Sequence, residues 1–345
     1  MKKNVAATLE LLEEKLLHPN FTQDAFTRIQ KQALEGFKQR KSQPASIATT
    51  VYDKINYGNT ILGMSDNGTE LTIKNLTLKD VEDFYSGNLT SQDAKVVIAG
   101  DIKENEILPK LAFLNSLPNK KIAVEKPAKP APLTKTVIYL VDVPKAAQTE
   151  FRVGSANGLL YDATGEYYKL GLANYVLGGD FNSRLNINLR EDKGWTYGAR
   201  SSFQSDKYSG KFTFSSGIRA DATDSALTEV IREIKNYAAA GITPQEISFM
   251  KSALVQRDAL AYETGAQKAS FIGRMLEYNL PANFVETQNK ILKGITKPEI
   301  DALVKKWLNT DKVNILLVGD KAKILPGLQK FGYEIIELDA DGNRK

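Results

Sequence analysis

A long internal repeat constrains this fold more than any other feature of the sequence. Leu76-Thr77-Leu78-Lys79-Asp80-Val81 leads into the apolar run Val96-Val97-Ile98-Ala99-Gly100-Asp101, and Ile295-Thr296-Lys297-Pro298-Glu299-Ile300 leads into Ile315-Leu316-Leu317-Val318-Gly319-Asp320. The offset is 219 at Thr77/Thr296 and 219 again at Gly100/Gly319. Upstream, Phe21-Thr22-Gln23-Asp24 precedes a helical pattern holding Ile29, Ala33 and Leu34, as Ile242-Thr243-Pro244-Gln245 precedes one holding Phe249, Met250, Ala253 and Leu254, at an offset of 221. Two matched units in one order point to a duplicated architecture rather than to chance periodicity. Each copy is expected to end alike, with a Thr-capped helix, a polar turn, a buried strand, Gly-Asp and a last helix.

Between the copies, residues 119–133 gather Lys120, Lys121, Lys126 and Lys129 with Pro127, Pro130 and Pro132, the pattern of an extended, solvated linker. The expected organisation is an incomplete first domain over 1–118, the linker, and a complete second domain over 134–345. The second copy begins near Thr134, so an offset of 221 would start the first copy about 87 residues before Met1. On this reading the front of the first copy is absent.

The second copy describes what such a front contains. Residues 136–143 and 148–154 read as strands, 166–177 as an apolar helix ending at Gly178-Gly179, and 183–191 as a second helix. Residues 195–204 and 210–217 read as antiparallel strands with Phe203, Phe212 and Phe214 on a core face. Helices follow over 223–240, 244–262, 266–280 and 283–293. Strands in runs followed by helices in runs make an α+β fold.

Composition removes several classes of chemistry. With no cysteine there are no disulfides, thiolate nucleophiles or Cys-ligated metals. His18 is the only histidine, so a metal site with two imidazoles cannot be built from this sequence. It stands in Leu16-Leu17-His18-Pro19, where the ordinary role is to end a helix. The net charge of +5 is dispersed, a poor footprint for nucleic acid. No stretch approaches the apolar length of a membrane span, and Asn, Thr and Glu interrupt the first ten residues where a secretory signal would need an apolar core.

The segment from Leu172 to Gly198 contains Leu177-Gly178-Gly179, Ser183-Arg184-Leu185, Leu189-Arg190, Gly194 and Tyr197. In this pattern, with the duplication and the Gly-Asp strand ends, the chain resembles the pitrilysin/insulinase family of zinc metallopeptidases over essentially its whole length. The resemblance implies two duplicated metallopeptidase-type α/β sandwich domains, mitochondrial-processing-peptidase-like, the first incomplete. Family enzymes are clamshells in which one half holds zinc through His-x-x-Glu-His on a helix and a later Glu, and the other half closes over the peptide. Here the equivalent helix of the second copy carries Leu170, Ala173 and Asn174, none a ligand, and the later Glu of the first copy falls near Glu35, which reads better as a solvated helix residue.

The resemblance therefore implies the non-catalytic half, with no cofactor in this chain and zinc in a catalytic half, either in the same polypeptide or in a separate subunit. Arg190 and Tyr197, seven residues apart, correspond to an Arg and a Tyr that reach the substrate across the closed clamshell in the family's non-catalytic halves. A guanidinium and a phenol both offer donors to a peptide carbonyl or a tetrahedral oxyanion. The competing role is structural, with Arg190 holding a helix–strand corner. Bacterial relatives are often periplasmic. The alternative function is a non-catalytic assembly or peptide-binding protein of the same fold with no protease partner. A peptide-binding module working by strand addition is weaker, because half of the first sheet is missing.

Overall fold

Asn314-Ile315-Leu316-Leu317-Val318-Gly319 is apolar on both alternating sets of side chains, which suits a strand covered on both faces. In the computed structural model, which describes residues 2–258, 262–308 and 311–345, this strand is buried at every position. It belongs to a six-stranded mixed sheet of β1 (Val137–Asp142), β2 (Gln148–Ala156), β3 (Thr196–Ser205), β4 (Gly210–Arg219), β5 (Asn314–Gly319) and β6 (Glu334–Leu338), in spatial order β3-β4-β2-β5-β1-β6. β5 runs parallel to β1 and antiparallel to β2. The expected hairpin is β3/β4, in which Phe203 faces Phe212 with ring centroids 5.0 Å apart and Phe214 is fully buried. β6, parallel to β1 at the sheet edge, has no counterpart among the elements expected from sequence.

Period-two alternation divides this sheet between two cores. Ile315 and Leu317, with Ile138, Leu140, Phe151 and Val153, face the helices Glu166–Asn174, Thr223–Ala240 and Lys297–Trp307. Leu316 and Val318, with Val141, face Ile47, Ala48, Val51 and Tyr52 of the helix Pro44–Tyr57. The α+β class is thus realised as one sheet with helices on both faces.

The described chain forms two compact units: residues 1–37, 69–125 and 258–282 in unit 1, and 38–68, 126–257 and 283–345 in unit 2. Both units draw on residues from either side of 119–133. The crossing is reciprocal. Helix Pro44–Tyr57 groups with unit 2, and helix Gly265–Tyr278, about 221 residues later, groups with unit 1.

Helix ends recur at the offset read from sequence. Leu78–Asn88 and Lys297–Trp307 are 219 residues apart at both ends. Each opens with a capping box, Thr77 with Asp80 and Thr296 with Glu299. Gln30 donates to the carbonyl of Ile73 (2.8 Å), and its counterpart Lys251 donates to that of Lys293 (2.8 Å). His18 is the C-cap of Val5–Leu17, as expected, its backbone N–H reaching the Glu14 carbonyl.

One expectation is corrected. Residues 96–101, predicted as a buried strand, pair with no strand among the described residues, and Val96 and Ile98 are 57% and 43% exposed. A strand satisfies its N–H and C=O groups only through neighbours. The equivalent β5 has β1 and β2 on either side, and among the described residues unit 1 offers no such strands. The apolar pattern is present; the ladder is not.

Candidate functional site

The segment carrying the family-like residues begins in the helix Glu166–Asn174, where Leu170 and Ala173 are fully buried and Asn174 is 6% exposed. The Asn174 amide donates to the Ser201 carbonyl (2.7 Å) and accepts from the Ser201 hydroxyl (2.7 Å). The three positions that the family resemblance sets against metal ligands are thus two core hydrocarbons and an amide bonded to β3. Among the described residues no group of three or more His, Asp or Glu side chains could hold a metal ion. Glu35 is an exposed residue of the helix Gln23–Arg40.

The chain then leaves α-helical geometry twice. Tyr175–Gly179 and Ile187–Asp192 are π-helical turns, a widened winding often found where a helix is bent to present side chains. Gly178 explains the first. A Cβ there would stand 2.3 Å from Ser201 Oγ and 2.5 Å from its backbone nitrogen, so only glycine lets the turn press against β3. The expected helix end at Gly178-Gly179 is present, for this packing reason in addition to capping.

Between the turns, Asn186 seals the free edge of the sheet. Its Oδ1 accepts from the Ala199 N–H (2.9 Å) and its Nδ2 donates to the Phe181 carbonyl (2.7 Å). With Asn174 on Ser201, two amide side chains occupy edge groups of β3 that a further strand would otherwise claim.

Arg184 is the residue the sequence did not single out. Its Nε and Nη2 donate to the two carboxylate oxygens of Glu246, both at 2.6 Å, Nη2 also reaches the Gly241 carbonyl (3.1 Å), and the guanidinium lies 4.8 Å from the Tyr237 ring centroid. Burial pushes the Glu246 carboxyl up, but Arg184 and the Thr243 N–H outweigh it and hold it below its ordinary 4.5. A carboxyl depressed on folding contributes stability above its unfolded pKa, lost as pH falls through the folded value. Wild-type melting temperature is therefore expected to fall more steeply between about pH 5 and pH 3 than that of Glu246→Gln. Parallel curves for the two proteins would remove this pair from the acid response.

Arg190 and Tyr197 occupy the second π-turn and the second residue of β3. They are joined by the left-handed Gly194, and the Trp195 N–H bonds back to the Leu189 carbonyl at 3.0 Å. The Arg190 guanidinium stacks 4.2 Å from the Phe181 ring centroid and donates to Glu191 (2.8 Å). Tyr197 is 92% exposed, and among the described residues its hydroxyl makes no hydrogen bond. The phenol of Tyr197 is thus outside the core, while the half-buried Arg190 guanidinium is held by the neighbouring side chains of Phe181 and Glu191. Phe181 (57% exposed) and Ile187 (40%) belong to the same stretch of chain, so aromatic, apolar and cationic groups of residues 181–197 are open to solvent, with Arg190 and Phe181 in direct contact.

A family model described as the peptidase M16 inactive domain matches residues 75–254. The non-peptidase homolog YmxG of Helicobacter pylori is 26% identical over 317 residues, covering 90% of this chain and 72% of its own length. The uncharacterized zinc protease YmxG of Bacillus subtilis is 25% identical over 269 residues, and this chain spans 64% of it, just under two thirds. Two relatives sharing one label are thus described in opposite terms, one as a non-peptidase and one as a protease. Among solved structures, a peptidase M16 inactive domain from Pseudomonas fluorescens superposes with a TM-score of 0.76 at 26% identity, over 91% of this chain and 74% of that one.

Proposed function

The chain belongs to the peptidase M16 family, matched there by the inactive domain, and from that membership we propose that it is the non-catalytic half of a pitrilysin-type zinc metallopeptidase, completing the substrate chamber of an active half. The observation that carries this reading is a contrast within one segment. Leu170, Ala173 and Asn174, which stand where a catalytic half would place ligands, are closed into the core. Further along, Tyr197 is exposed on β3 after the left-handed Gly194, and Arg190, half-buried on the second π-turn, stacks on the exposed Phe181.

In this role the chain supplies no nucleophile, base or metal. Zinc and its activated water belong to the catalytic half, whether that half lies in the same polypeptide or in another subunit. Arg190 and Tyr197 hold the peptide by its carbonyls and donate to the oxygen on which negative charge develops. Phe181 keeps the guanidinium flat and aimed. Among the described residues no helix is long and apolar enough to cross a membrane.

The purified chain is expected to contain no stoichiometric zinc and to cleave no peptide by itself. Peptide hydrolysis should appear when it is combined with a family protein bearing His-x-x-Glu-His, and should vanish with a chelator. Near one tightly held zinc per chain by elemental analysis, with chelator-sensitive cleavage by the chain alone, would overturn the reading. A second reading, an assembly or peptide-binding protein without a protease partner, is favoured by the non-peptidase relative. It predicts peptide binding at the same residues and no gain in hydrolysis with any catalytic half.

A further inference from the structure

Strict alternation along β3 would bury Tyr197. Ala199, Ser201 and Phe203 are buried, each opposite a buried residue of β4, namely Ser216, Phe214 and Phe212. Side chains of a strand change face at every residue, so position 197 shares the parity of this inward set. Yet Tyr197 is 92% exposed, and it is Thr196 that stands opposite the fully buried Ile218. The register shifts between Thr196 and Ala199, where Tyr197 and Gly198 together face the single residue Gly217. An extra residue of this kind re-aims the side chains around it. The bulge, and not the alternation of the sequence, sends the phenol to solvent.

A bulge takes backbone groups out of the ladder, and they need other partners. Here two hydroxyls supply them, one from each strand. The Gly198 N–H donates to Thr196 Oγ1 (3.0 Å), and the Ser216 hydroxyl donates to the Gly198 carbonyl (2.9 Å). The Thr196 proton reaches either Ser216 Oγ (2.9 Å) or the same carbonyl (3.0 Å). Both backbone groups of Gly198 are thereby held by side chains, and Ser216 is itself 6% exposed. The next N–H, that of Ala199, goes to Asn186. The Tyr197 hydroxyl makes no hydrogen bond among the described residues, so the direction of the phenol is set by this backbone alone.

We propose that Thr196 and Ser216 are positioning residues, whose hydroxyl clasp on Gly198 holds the bulge that keeps Tyr197 off the core face and presents its phenol to the peptide. The proposal rests on the role given to Tyr197 above. Without the clasp, straight pairing of β3 with β4 is the arrangement that serves the backbone of Gly198, and it turns position 197 inward.

Two measurements on the full chain test this. Tetranitromethane nitrates exposed phenols, and its extent at Tyr197 is read by peptide mass against Tyr208, which is 42% exposed between β3 and β4. The ratio is expected to fall about threefold or more in Thr196→Val and in Ser216→Ala, and to stay at the wild-type value in Thr196→Ser, which keeps the hydroxyl. Valine preserves the shape of threonine and Ser216→Ala cuts the clasp from the other strand, so either variant alone carries the test. An unchanged ratio in the hydroxyl-deleted variants overturns the proposal, whatever the chain does. Paired with a catalytic half, Thr196→Val should lower kcat/KM about fivefold or more and cost nothing further in a Tyr197→Phe background, because the clasp acts through that hydroxyl. Additive losses in the double variant, or a loss that only tracks melting temperature, would return Thr196 to a structural role. Turnover indifferent to Tyr197→Phe would instead overturn the reading on which the proposal rests, while the nitration ratio still judges the bulge.

Discussion

Tyr52→Ala is expected to destabilise unit 2 by about 3–5 kcal/mol, the range for deleting a large buried aromatic from a core. Tyr52 is 2% exposed on the helix Pro44–Tyr57, within the cluster of Ile47, Val51, Val141, Leu316 and Val318 that closes the second face of the sheet. Its ring fits there because of Gly154. That residue has φ +148°, and a Cβ on it would stand 2.1 Å from the Phe212 carbonyl oxygen and 3.1 Å from the Tyr52 hydroxyl. The Thr213 and Asn56 side chains stand near the Tyr52 hydroxyl, but among the described residues neither it nor the buried Thr213 hydroxyl completes a hydrogen bond of good geometry. An unpaired buried hydroxyl contributes nothing favourable, so Tyr52→Phe should leave the melting temperature unchanged or raise it. Chemical denaturation of the two variants checks both halves. A small loss in Tyr52→Ala would mean that this helix is loosely held, and a large loss in Tyr52→Phe would reveal a hydrogen bond absent here.

Arg190→Ala and Tyr197→Phe are each expected to lower turnover of the chain paired with its catalytic half by tenfold or more, equivalent to about 1.4 kcal/mol of transition-state stabilisation, at unchanged thermal stability. Stability should hold because Tyr197 is 92% exposed and the Arg190 guanidinium makes its hydrogen bond and its ring contact with the exposed Glu191 and Phe181. Tyr197→Phe keeps the ring and removes only the donor, so a fall in kcat with little change in KM would place the phenol on the developing oxyanion. A rise in KM alone would place it on the bound peptide. Arg184→Ala is the contrasting variant. Arg184 lies seven residues after Leu177, yet it is tied to Glu246 and Gly241, so its loss should lower stability first. Turnover that tracks melting temperature in the Arg190 and Tyr197 variants as well would return both to a structural role.

The site was legible in part. Arg190 and Tyr197 stand out through a spacing that a family resemblance makes meaningful. Phe181 carries no such signal, and its place under the guanidinium depends on the chain folding back between two π-turns. Arg184 belongs to the same quoted motif, but its partner Glu246 is 62 residues away, beyond the reach of any spacing rule. The nearest sequence sign is Thr243 three residues before Glu246, a capping-box pattern that marks a helix start and says nothing of an arginine.

By itself the sequence determined the local elements. The helices Thr223–Ala240 and Lys297–Trp307, the caps at Thr77 and Thr296, the hairpin aromatics and the doubly covered strand at 314–319 all follow from periodicity and end signals, which act within a few residues. Tertiary structure alone decided which elements meet. The runs at 96–101 and 315–320 read alike, yet only the second has neighbours on both edges, and backbone hydrogen bonds between strands are non-local. The helices Pro44–Tyr57 and Gly265–Tyr278 group with opposite units from the rest of their own copies. An apolar stripe specifies that a helix must be buried; it does not specify against which surface, because that contact is non-local.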